Sequence, residues 1–587
     1  MLRFPRVFWA VGLLAILLAL PALFADFYCD DQAMVLTIEG LAPAPIPGPF
    51  HLYSFMTGAP GERDWLVRQS ALPWWAVDGI RLSFCRPLSS ALLVVDHALA
   101  GRRPLLYHVH SLIWYVLAVL AAALLFRRLL SEREAAVAAL LFAISPAHWM
   151  IAAWPSARHV AISGTLVIAA LLLHLAARER ATAGPRWLPL AAIACAALAL
   201  CGGETALGVF GYVAAYELFG RRNEPLARRL RALIPWAALL FAYAIMYKAL
   251  GFGARNAGGY VDPIAQTRGY LQLLPTRLAV YLEAALLCIP SELSMVAPNL
   301  VKPMAMVGVA AGLLFMGLLR RAARVLDPDV TRTLTWLFVG ALLSALPGVA
   351  SIPGDRVLFL PNLAMSAALS VLLLHAGKES RPAIFSWLAR AGVALFGLVH
   401  VALAPVSFAF GAWQLASTSH TAMEAAAQAE IPARVGMSVA GIGLADPLIG
   451  MYLPASILLA PRAGPPPAAL QLLSTAAHDH LVTRTDERSL EIRVVSGTLL
   501  EGALESLFRP PSAPLGVGDR LPLGAWSVEI LEESAGLPSR FSVRFDRSAD
   551  DPTLSLLIWK GGALRALGVP RVGEQVLVKH EPGPMGI

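Results

Sequence analysis

The sequence has a low content of charged residues. Asp, Glu, Lys and Arg make up 15% of its 587 residues, hydrophobic residues make up 57%, and the mean hydropathy is +0.64. Soluble globular domains contain about 25% charged residues, because their surfaces must be hydrated. This shortage excludes a soluble protein of this length and predicts that much of the apolar surface faces lipid.

Cysteine is also scarce, and the common nucleotide and hydrolase motifs are missing. The five cysteines form no CxxC pair and no Cys/His spacing of the kind that binds zinc. No Walker, Rossmann or GxSxG sequence stands between a strand and a helix, which excludes the usual sites of those classes. Cys29 and Cys85 share the first predicted outer loop, where a disulfide and two free thiols are both open alternatives.

The net charge of +8 does not indicate a nucleic-acid partner. Lys and Arg occur in short clusters between apolar runs, as at 221–231. This pattern is typical of the cytoplasmic loops of membrane proteins, which carry excess positive charge. We therefore predict the lipid bilayer as a partner, and no nucleic acid.

Apolar runs of bilayer-spanning length recur through the first 410 residues. The first, Val7 to Phe24, is interpreted as an uncleaved span because many more follow it. Further runs lie at 106–126, 135–153, 159–177, 232–250, 303–319, 333–350, 357–375 and 383–410.

Two stretches need a different reading. As one helix, Trp187–Phe219 would be about 50 Å long, which is too long for one ordinary crossing. Basic residues flank both of its ends, which places both ends in the cytoplasm. We therefore predict two short helices that turn at Gly202-Gly203-Glu204. The stretch 276–296 is predicted to be re-entrant or to lie on the membrane surface. The positive-inside rule then gives about eleven spans, with the N-terminus in the cytoplasm and the C-terminus outside.

The pattern changes after residue 410. Leu490, Ile492 and Val494 alternate with charged residues, and the same period of two recurs at 541–545 and 554–558, which predicts half-buried strands. The expected fold is an all-α polytopic membrane domain over 1–410, with a first extracytoplasmic loop at 25–105. An extracytoplasmic α/β or mainly β domain follows over 411–587.

Two adjacent carboxylates, Asp30 and Asp31, follow the first span. Such a pair can act as a general base toward a hydroxyl group, or its oxygens can hold a hard divalent cation such as Mg²⁺ or Mn²⁺. A solvated pair that ends a helix is the structural alternative, and the residues alone leave all three open.

Further polar residues fall at span ends. With the predicted topology they all lie on the outer side, whereas the cytoplasmic loops contain little besides Lys, Arg and scattered acids. One outward-facing polar cavity explains this segregation better than independent accidents. The residues are Arg86, His108, His148, Arg158, Glu204, Asp355 and Arg356.

These segments, in order, resemble the GT-C glycosyltransferases of the transmembrane, tetratricopeptide-repeat-containing O-mannosyltransferase type and their bacterial relatives. Phe27-Tyr28-Cys29-Asp30-Asp31 is similar to the F-x-x-D-D of that family's first loop. Arg86-Pro87-Leu88, followed by Tyr107-His108, is similar to its R-P-L and Y-H elements. The resemblance covers roughly residues 5–375.

Three further segments continue the resemblance. Phe142 to His148, followed by Trp154 to Arg158, is similar to F-A-x-H-P-x-H and W-x-S-G-R. Gly203-Glu204-Thr205-Ala206 is similar to S-K-E-x-A, and Asp355 to Pro361 is similar to E-R-Y-L-Y-L-P.

The sequence also departs from the family. Met150 stands where the family has a Glu, Val160 where it has an Asp, Gly203 where it has a Lys and Ser111 where it has an Asn. The repeats of the eukaryotic members are absent. A non-catalytic relative therefore stays open as an alternative, as does a lipid or oligosaccharide transporter or flippase.

The resemblance implies a hexosyltransferase that uses a polyprenyl-phosphate-linked sugar and inverts the anomeric centre. It implies Asp30 or Asp31 as general base, with a divalent cation on that pair as an option. Arg356, Arg158 and His108 are then expected at the donor phosphate, and Arg86, His148, Glu204 and Asp355 elsewhere in the cavity. The acceptor would be an extracytoplasmic glycan, lipid or protein, and the Ala/Leu/Arg-rich composition favours a bacterial plasma membrane.

Overall fold

Apolar helices form most of the chain before residue 415. The computed structural model describes residues 4–179, 185, 187–375, 383–462 and 464–586. The α-helices of this part are Phe4–Ala19, Pro87–Ala100, Pro104–Leu129, Glu132–Ala143, Trp149–Ala153, Arg158–Glu179, Leu188–Gly202, Gly208–Ala215, Leu226–Ala249, Thr267–Leu287, Leu293–Val296, Val301–Ala322, Pro328–Val349, Pro361–His375, Ala383–Gly397 and Ala404–Ala427.

Among the described residues, seven helical segments are long and apolar enough to cross a membrane, or eight if the bent pair Glu132–Ala143 and Pro146–Ala153 is one span. The prediction of about eleven spans also counted shorter apolar helices such as Leu188–Gly202 and Pro361–His375. Each of these has 15 residues, and a helix of that length extends only about 22 Å against a hydrocarbon core of about 30 Å. The prediction of a polytopic helical membrane protein is confirmed.

The two ambiguous stretches are resolved by the backbone. The helix Leu188–Gly202 ends before Gly203, and a 3₁₀ turn at Glu204–Leu207 leads into Gly208–Ala215, so the predicted break at Gly202-Gly203-Glu204 is confirmed. The stretch predicted at 276–296 is divided: its first part belongs to the helix Thr267–Leu287, which begins nine residues earlier than the apolar run, and its last part forms the short helix Leu293–Val296.

Small residues allow two of the helices to approach closely. Gly308 and Gly312 lie four residues apart on Val301–Ala322 and face Thr267–Leu287. A Cβ atom on Gly308 would lie 2.0 Å from the carbonyl oxygen of Ala279, and one on Gly312 would lie 2.5 Å from a methyl carbon of Leu282. This spacing of small residues is a recurrent way of packing membrane helices without the hydrophobic effect.

Sheets form most of the rest of the chain, as predicted for its C-terminal part. The short helices here are Asp30–Ile38, Glu62–Arg68, Leu453–Leu459 and Ala503–Phe508. A three-stranded antiparallel sheet joins Ser54–Thr57, Arg81–Ser83 and Gly253–Arg255. A mixed four-stranded sheet has the order Ala563–Leu567, Leu554–Lys560, Ser438–Ile442, Ala469–Leu472. Both pairings of the strand Ser438–Ile442 are parallel. An antiparallel six-stranded sheet has the order Gln575–Val578, His480–Arg484, Ser489–Val494, Leu537–Arg544, Trp526–Ser534, Arg520–Leu523.

The chain divides into two compact units. We call Met1–Phe24, Phe84–Gly251 and Val261–Leu415 the helical unit, and Ala25–Ser83, Phe252–Tyr260 and Ala416–Ile587 the β unit. Cys29 and Cys85 are both buried free thiols, so the disulfide alternative is wrong in this structure.

The close helix contact gives a stability prediction. Gly308→Ala places a methyl group against the Ala279 carbonyl, so the helices must separate, and we expect a loss of about 1–3 kcal/mol of unfolding free energy. Thermal unfolding of the full chain in detergent measures the loss. Gly317→Ala on the same helix is the control, since its Cβ would meet nothing within 4 Å. Equal unfolding temperatures for the two variants would contradict the packing argument.

Candidate active site

The acidic pair lies at the start of a helix in the β unit. Asp30 and Asp31 form the first turn of Asp30–Ile38, where the helix dipole stabilises negative charge. Cys29, directly before them, has φ = +47°, a conformation that residues with a side chain rarely adopt. The backbone is therefore forced into an unusual turn that points the chain into the helix with both carboxylates at its N-terminal end.

The two carboxylates have different surroundings. Asp31 is buried, with 3% of its surface exposed, and its Oδ2 accepts a hydrogen bond from the Tyr28 backbone N–H at 3.2 Å. Asp30 is half-buried, and its Oδ1 accepts a hydrogen bond from the Tyr452 hydroxyl at 2.5 Å. Asp31 is thus tied to its own backbone turn, whereas the Asp30 carboxylate is bonded to a side chain and reaches the surface of this unit.

A third carboxylate, Asp446, was missed by the sequence reasoning. Its Oδ1 accepts from the Leu448 backbone N–H at 3.0 Å and its Oδ2 from that of Met585 at 2.5 Å. It acts electrostatically on Tyr28 and Cys29, and burial raises its own pKa. A lone Asp in an apolar segment gives no motif by which it could have been found.

The acidic pair does not form a complete metal site with its neighbours. Within the described ranges, no group of three or more His, Cys, Asp or Glu side chains is arranged to hold a metal ion. The predicted Mg²⁺ or Mn²⁺ on Asp30 and Asp31 would need ligands from water or substrate, since hard cations take six or more oxygens.

In the helical unit, Arg86 and Glu204 form an ion pair. The Arg86 Nε donates to Glu204 Oε2 at 2.7 Å, and Glu204 Oε1 accepts from the Cys85 backbone N–H at 3.2 Å and from the Tyr247 hydroxyl at 3.3 Å. Two residues predicted separately are thus brought together, and Glu204 holds the arginine in position.

Gly203 is required beside this pair. A Cβ atom there would lie 2.9 Å from His159 Nδ1 and 3.6 Å from Arg86 Nε. A larger side chain at position 203 would therefore collide with His159.

Arg158 has a buried partner. It is 1% exposed and donates to Asp96 Oδ2 at 2.5 Å, while the second oxygen of Asp96 contacts His110 Nδ1 at 2.6 Å. Ion pairs of this kind persist in apolar surroundings because each charge offsets the desolvation of the other. The predicted role of Arg158 at a phosphate therefore requires that it leave, or share, this carboxylate.

His108 and His148 are interior residues. His108 is 1% exposed, and its Nδ1 is 2.8 Å from the Ala153 carbonyl oxygen. His148 is fully buried, its Nε2 is 3.1 Å from the Asn362 side-chain nitrogen, and the Phe142 and Phe359 rings pack against it. In each ring, one nitrogen lies at hydrogen-bond distance from a polar partner.

Arg356 differs from the other predicted cations. It lies in the 3₁₀ turn Asp355–Leu358, and its half-buried guanidinium makes no hydrogen bond or ion pair within the described residues. It acts electrostatically on His159 and on Glu292. A guanidinium has five N–H donors, so this group has unused capacity for an anion.

Asp355 is paired with another acid, Glu292, which sequence reasoning missed. The Asp355 backbone N–H donates to Glu292 Oε1 at 2.9 Å, and Asp355 Oδ1 accepts from the Ser291 backbone N–H at 2.9 Å. Burial raises the pKa of both carboxyl groups, and the charge of Glu292 raises that of Asp355 further. Asp355 therefore keeps its proton at higher pH than an ordinary Asp and adds less negative charge beside Arg356.

Comparisons with protein-family models and with curated protein sequences give no match. Among solved structures, the chain is similar to an oligosaccharyltransferase of Archaeoglobus fulgidus tethered to an acceptor peptide, at 13% identity and a TM-score of 0.42. It is also similar to the oligosaccharyltransferase AglB of Archaeoglobus fulgidus in complex with an inhibitory peptide and dolichol-phosphate, at 13% identity and a TM-score of 0.43. Each match covers 79% of this chain and 64% of the oligosaccharyltransferase chain. It is also similar to ArnT of Cupriavidus metallidurans bound to undecaprenyl phosphate, at 14% identity and a TM-score of 0.40 over 79% of this chain and 89% of that one.

The acid pair gives a pH prediction. The folded-state pKa of Asp355 lies above its unfolded value, so its contribution to stability is complete below the unfolded pKa and is lost as the pH rises through the folded pKa. Asp355→Asn keeps an oxygen for the Ser291 N–H and has no proton to lose. We expect its unfolding temperature to exceed that of the wild type by about 2 °C or more at pH 8, with a smaller difference at pH 5.

Thermal unfolding in detergent at the two pH values checks this. Asp329→Asn is the control, because the Asp329 side chain is 77% exposed. An Asp355→Asn protein with the same pH dependence as the wild type would show that Asp355 is ionised in the folded state.

Proposed function

We propose that the protein is an inverting glycosyltransferase of the GT-C type, which moves a hexose from a polyprenyl-phosphate-linked donor to an extracytoplasmic acceptor. The observation that carries the proposal is the guanidinium of Arg356, which lies just before the apolar helix Pro361–His375 and makes no hydrogen bond or ion pair within the described residues. A cation in that environment is costly unless an anion compensates it. A lipid-linked phosphate is an anion that is presented at the membrane.

In the proposed reaction, the acceptor oxygen attacks the anomeric carbon from the side opposite the phosphate. The new C–O bond forms as the bond from the anomeric carbon to the phosphate oxygen breaks, and the polyprenyl phosphate leaves with that electron pair. The acceptor proton passes to a carboxylate. The anomeric configuration is inverted because a single displacement takes place.

Arg356 is assigned to the leaving phosphate, whose negative charge grows as the bond breaks. Paired N–H donors grip phosphate oxygens in a fixed orientation and stabilise the developing charge. The raised pKa values of Asp355 and Glu292 support this assignment, since full ionisation of both carboxyl groups would repel the phosphate. Arg158 and His108 remain proposed as additional phosphate ligands, while Arg86 and Glu204 are assigned to shaping the cavity.

Asp30 is assigned as the general base in preference to Asp31. Its half-buried carboxylate can be approached, and the helix N-terminus helps to keep it ionised. Asp31 is buried and bonded to the Tyr28 backbone. Its proposed role is to fix the turn that presents Asp30.

The proposed location is a bacterial plasma membrane, with the N-terminus in the cytoplasm and the C-terminal strands outside. This orientation follows from the basic clusters, which carry the positive-inside rule. The acceptor class stays open among glycan, lipid and protein.

The first test concerns phosphate binding. With the full chain in lipid nanodiscs and undecaprenyl phosphate as the probe, Arg356→Gln should weaken binding about 10- to 100-fold, because charge-assisted hydrogen bonds are lost. Arg128→Gln is the control, since Arg128 is already paired with Glu179 at 2.6 Å. Native mass spectrometry across lipid concentrations gives both affinities, and equal affinities would contradict the role of Arg356.

The second test concerns the base. Asp30→Asn should lower the rate of glycan formation in membrane vesicles about 10²- to 10⁴-fold, the usual contribution of a positioned base. Asp26→Asn is the matched control from the same segment, because Asp26 contacts His420 and not the acidic pair. Glycan products are followed by mass spectrometry at equal protein level. Unchanged product from Asp30→Asn would favour the transporter or the non-catalytic alternative.

A further inference from the structure

We propose that Tyr452 is a positioning residue for Asp30, so that the C-terminal part of the chain takes a direct part in presenting the base. The inference rests on the proposed function, in which Asp30 takes the acceptor proton. It assigns a role to a residue that stands 422 positions later in the sequence.

The contact between the two side chains is short and has one possible direction. The Tyr452 hydroxyl donates to Asp30 Oδ1 at 2.5 Å. Burial raises the pKa of Tyr452 well above its usual value, and the charge of Asp30 adds to this. The phenol therefore keeps its proton and donates the hydrogen bond to the Asp30 carboxylate.

Tyr452 is positioned by a turn that several hydrogen bonds stabilise. The Asp446 side chain accepts from the Leu448 N–H at 3.0 Å, and the Asp446 carbonyl accepts from the Gly450 N–H at 2.7 Å. The Tyr452 N–H donates to the Pro447 carbonyl at 3.0 Å, and the helix Leu453–Leu459 begins at the next residue. The position of the hydroxyl is thus set by backbone hydrogen bonds on both sides of the residue.

A second hydrogen bond joins the same two helices independently of Tyr452. The Ser456 hydroxyl donates to Gln32 Oε1 at 2.7 Å, and the Gln32 amide donates to the Phe27 carbonyl at 3.0 Å. Ser456 and Gln32 are both fully buried. The helices Asp30–Ile38 and Leu453–Leu459 therefore keep their register when the Tyr452 hydroxyl is removed, which makes the hydroxyl testable on its own.

A purely structural role does not explain the choice of partner. The adjacent carboxylate, that of Asp31, accepts from the Tyr28 backbone N–H. Tyr452 bonds instead to the more exposed carboxylate, the one that a substrate can approach. Fixing one oxygen of a base reduces its rotational freedom and keeps the other in a reactive orientation.

The test compares Tyr452→Phe with Ser456→Ala in the full chain. A hydrogen bond to a carboxylate stabilises its charged form, so without the hydroxyl Asp30 should stay protonated to higher pH. Infrared difference spectra across pH report this, with the carboxyl band of Asp30 identified by its loss in Asp30→Asn. We expect the midpoint of that band to move to higher pH in Tyr452→Phe and to stay unchanged in Ser456→Ala.

Glycan formation in membrane vesicles gives the second readout. Tyr452→Phe should lower the rate about tenfold near neutral pH, comparable to the loss of one hydrogen bond to a charged group, and move the acidic limb of the profile toward higher pH. Ser456→Ala should change the unfolding temperature without moving that limb, because its bond does not reach Asp30.

The outcomes separate the inference from the function on which it rests. Loss of product in Asp30→Asn together with a wild-type band midpoint and rate in Tyr452→Phe would overturn the role of Tyr452 alone. Full product from Asp30→Asn would overturn the proposed base, and the positioning role with it. Loss in Asp30→Asn with a shifted midpoint in Tyr452→Phe supports both.

Discussion

The cost of an uncompensated charge in apolar surroundings governs the arrangement of the helical unit. Arg158 is held by Asp96, and Arg86 by Glu204, each at hydrogen-bond distance. Such pairs are expected wherever an arginine is withdrawn from water, because an unpaired buried charge destabilises the fold by on the order of several kcal/mol. Arg356 departs from the pattern, and the proposed phosphate binding follows from that departure.

The cost of an uncompensated charge also governs the acidic groups, in two ways. In the β unit, Asp30 and Asp31 stand at a helix N-terminus and accept hydrogen bonds from Tyr452 and from a backbone N–H, which stabilises their charge. In the helical unit, the buried Asp355 lies beside the half-buried Glu292, and the pKa values of both carboxyl groups are raised. One site is thus suited to accepting a proton, while the other retains one beside a cation.

The elements that were predicted correctly from the sequence are those that depend on a local pattern of residues. The alternation at 490–494 lies in the strand Ser489–Val494, that at 541–545 in and just after Leu537–Arg544, and that at 554–558 in Leu554–Lys560. Apolar length predicted the membrane helices, and the Gly-Gly pair predicted the break at Gly203. Each of these properties is fixed by residues within a few positions of one another.

Contacts between distant segments could not be predicted in this way. Asp96 compensates Arg158 from 62 positions away, Glu292 meets Asp355 from 63, and Tyr452 meets Asp30 from 422. None of these partners stands in a motif, and their contacts exist only in the folded chain. The sequence therefore identified Arg158 and Arg356 as equal candidates, and only their partners distinguish them.

The central claim is that Arg356 binds the phosphate of a polyprenyl-linked lipid. A cryo-electron microscopy map of the full chain in nanodiscs with undecaprenyl phosphate tests it most directly. The account predicts phosphate density within hydrogen-bond distance of the Arg356 guanidinium. Lipid phosphate bound elsewhere, while Arg356 contacts a protein carboxylate, would contradict it.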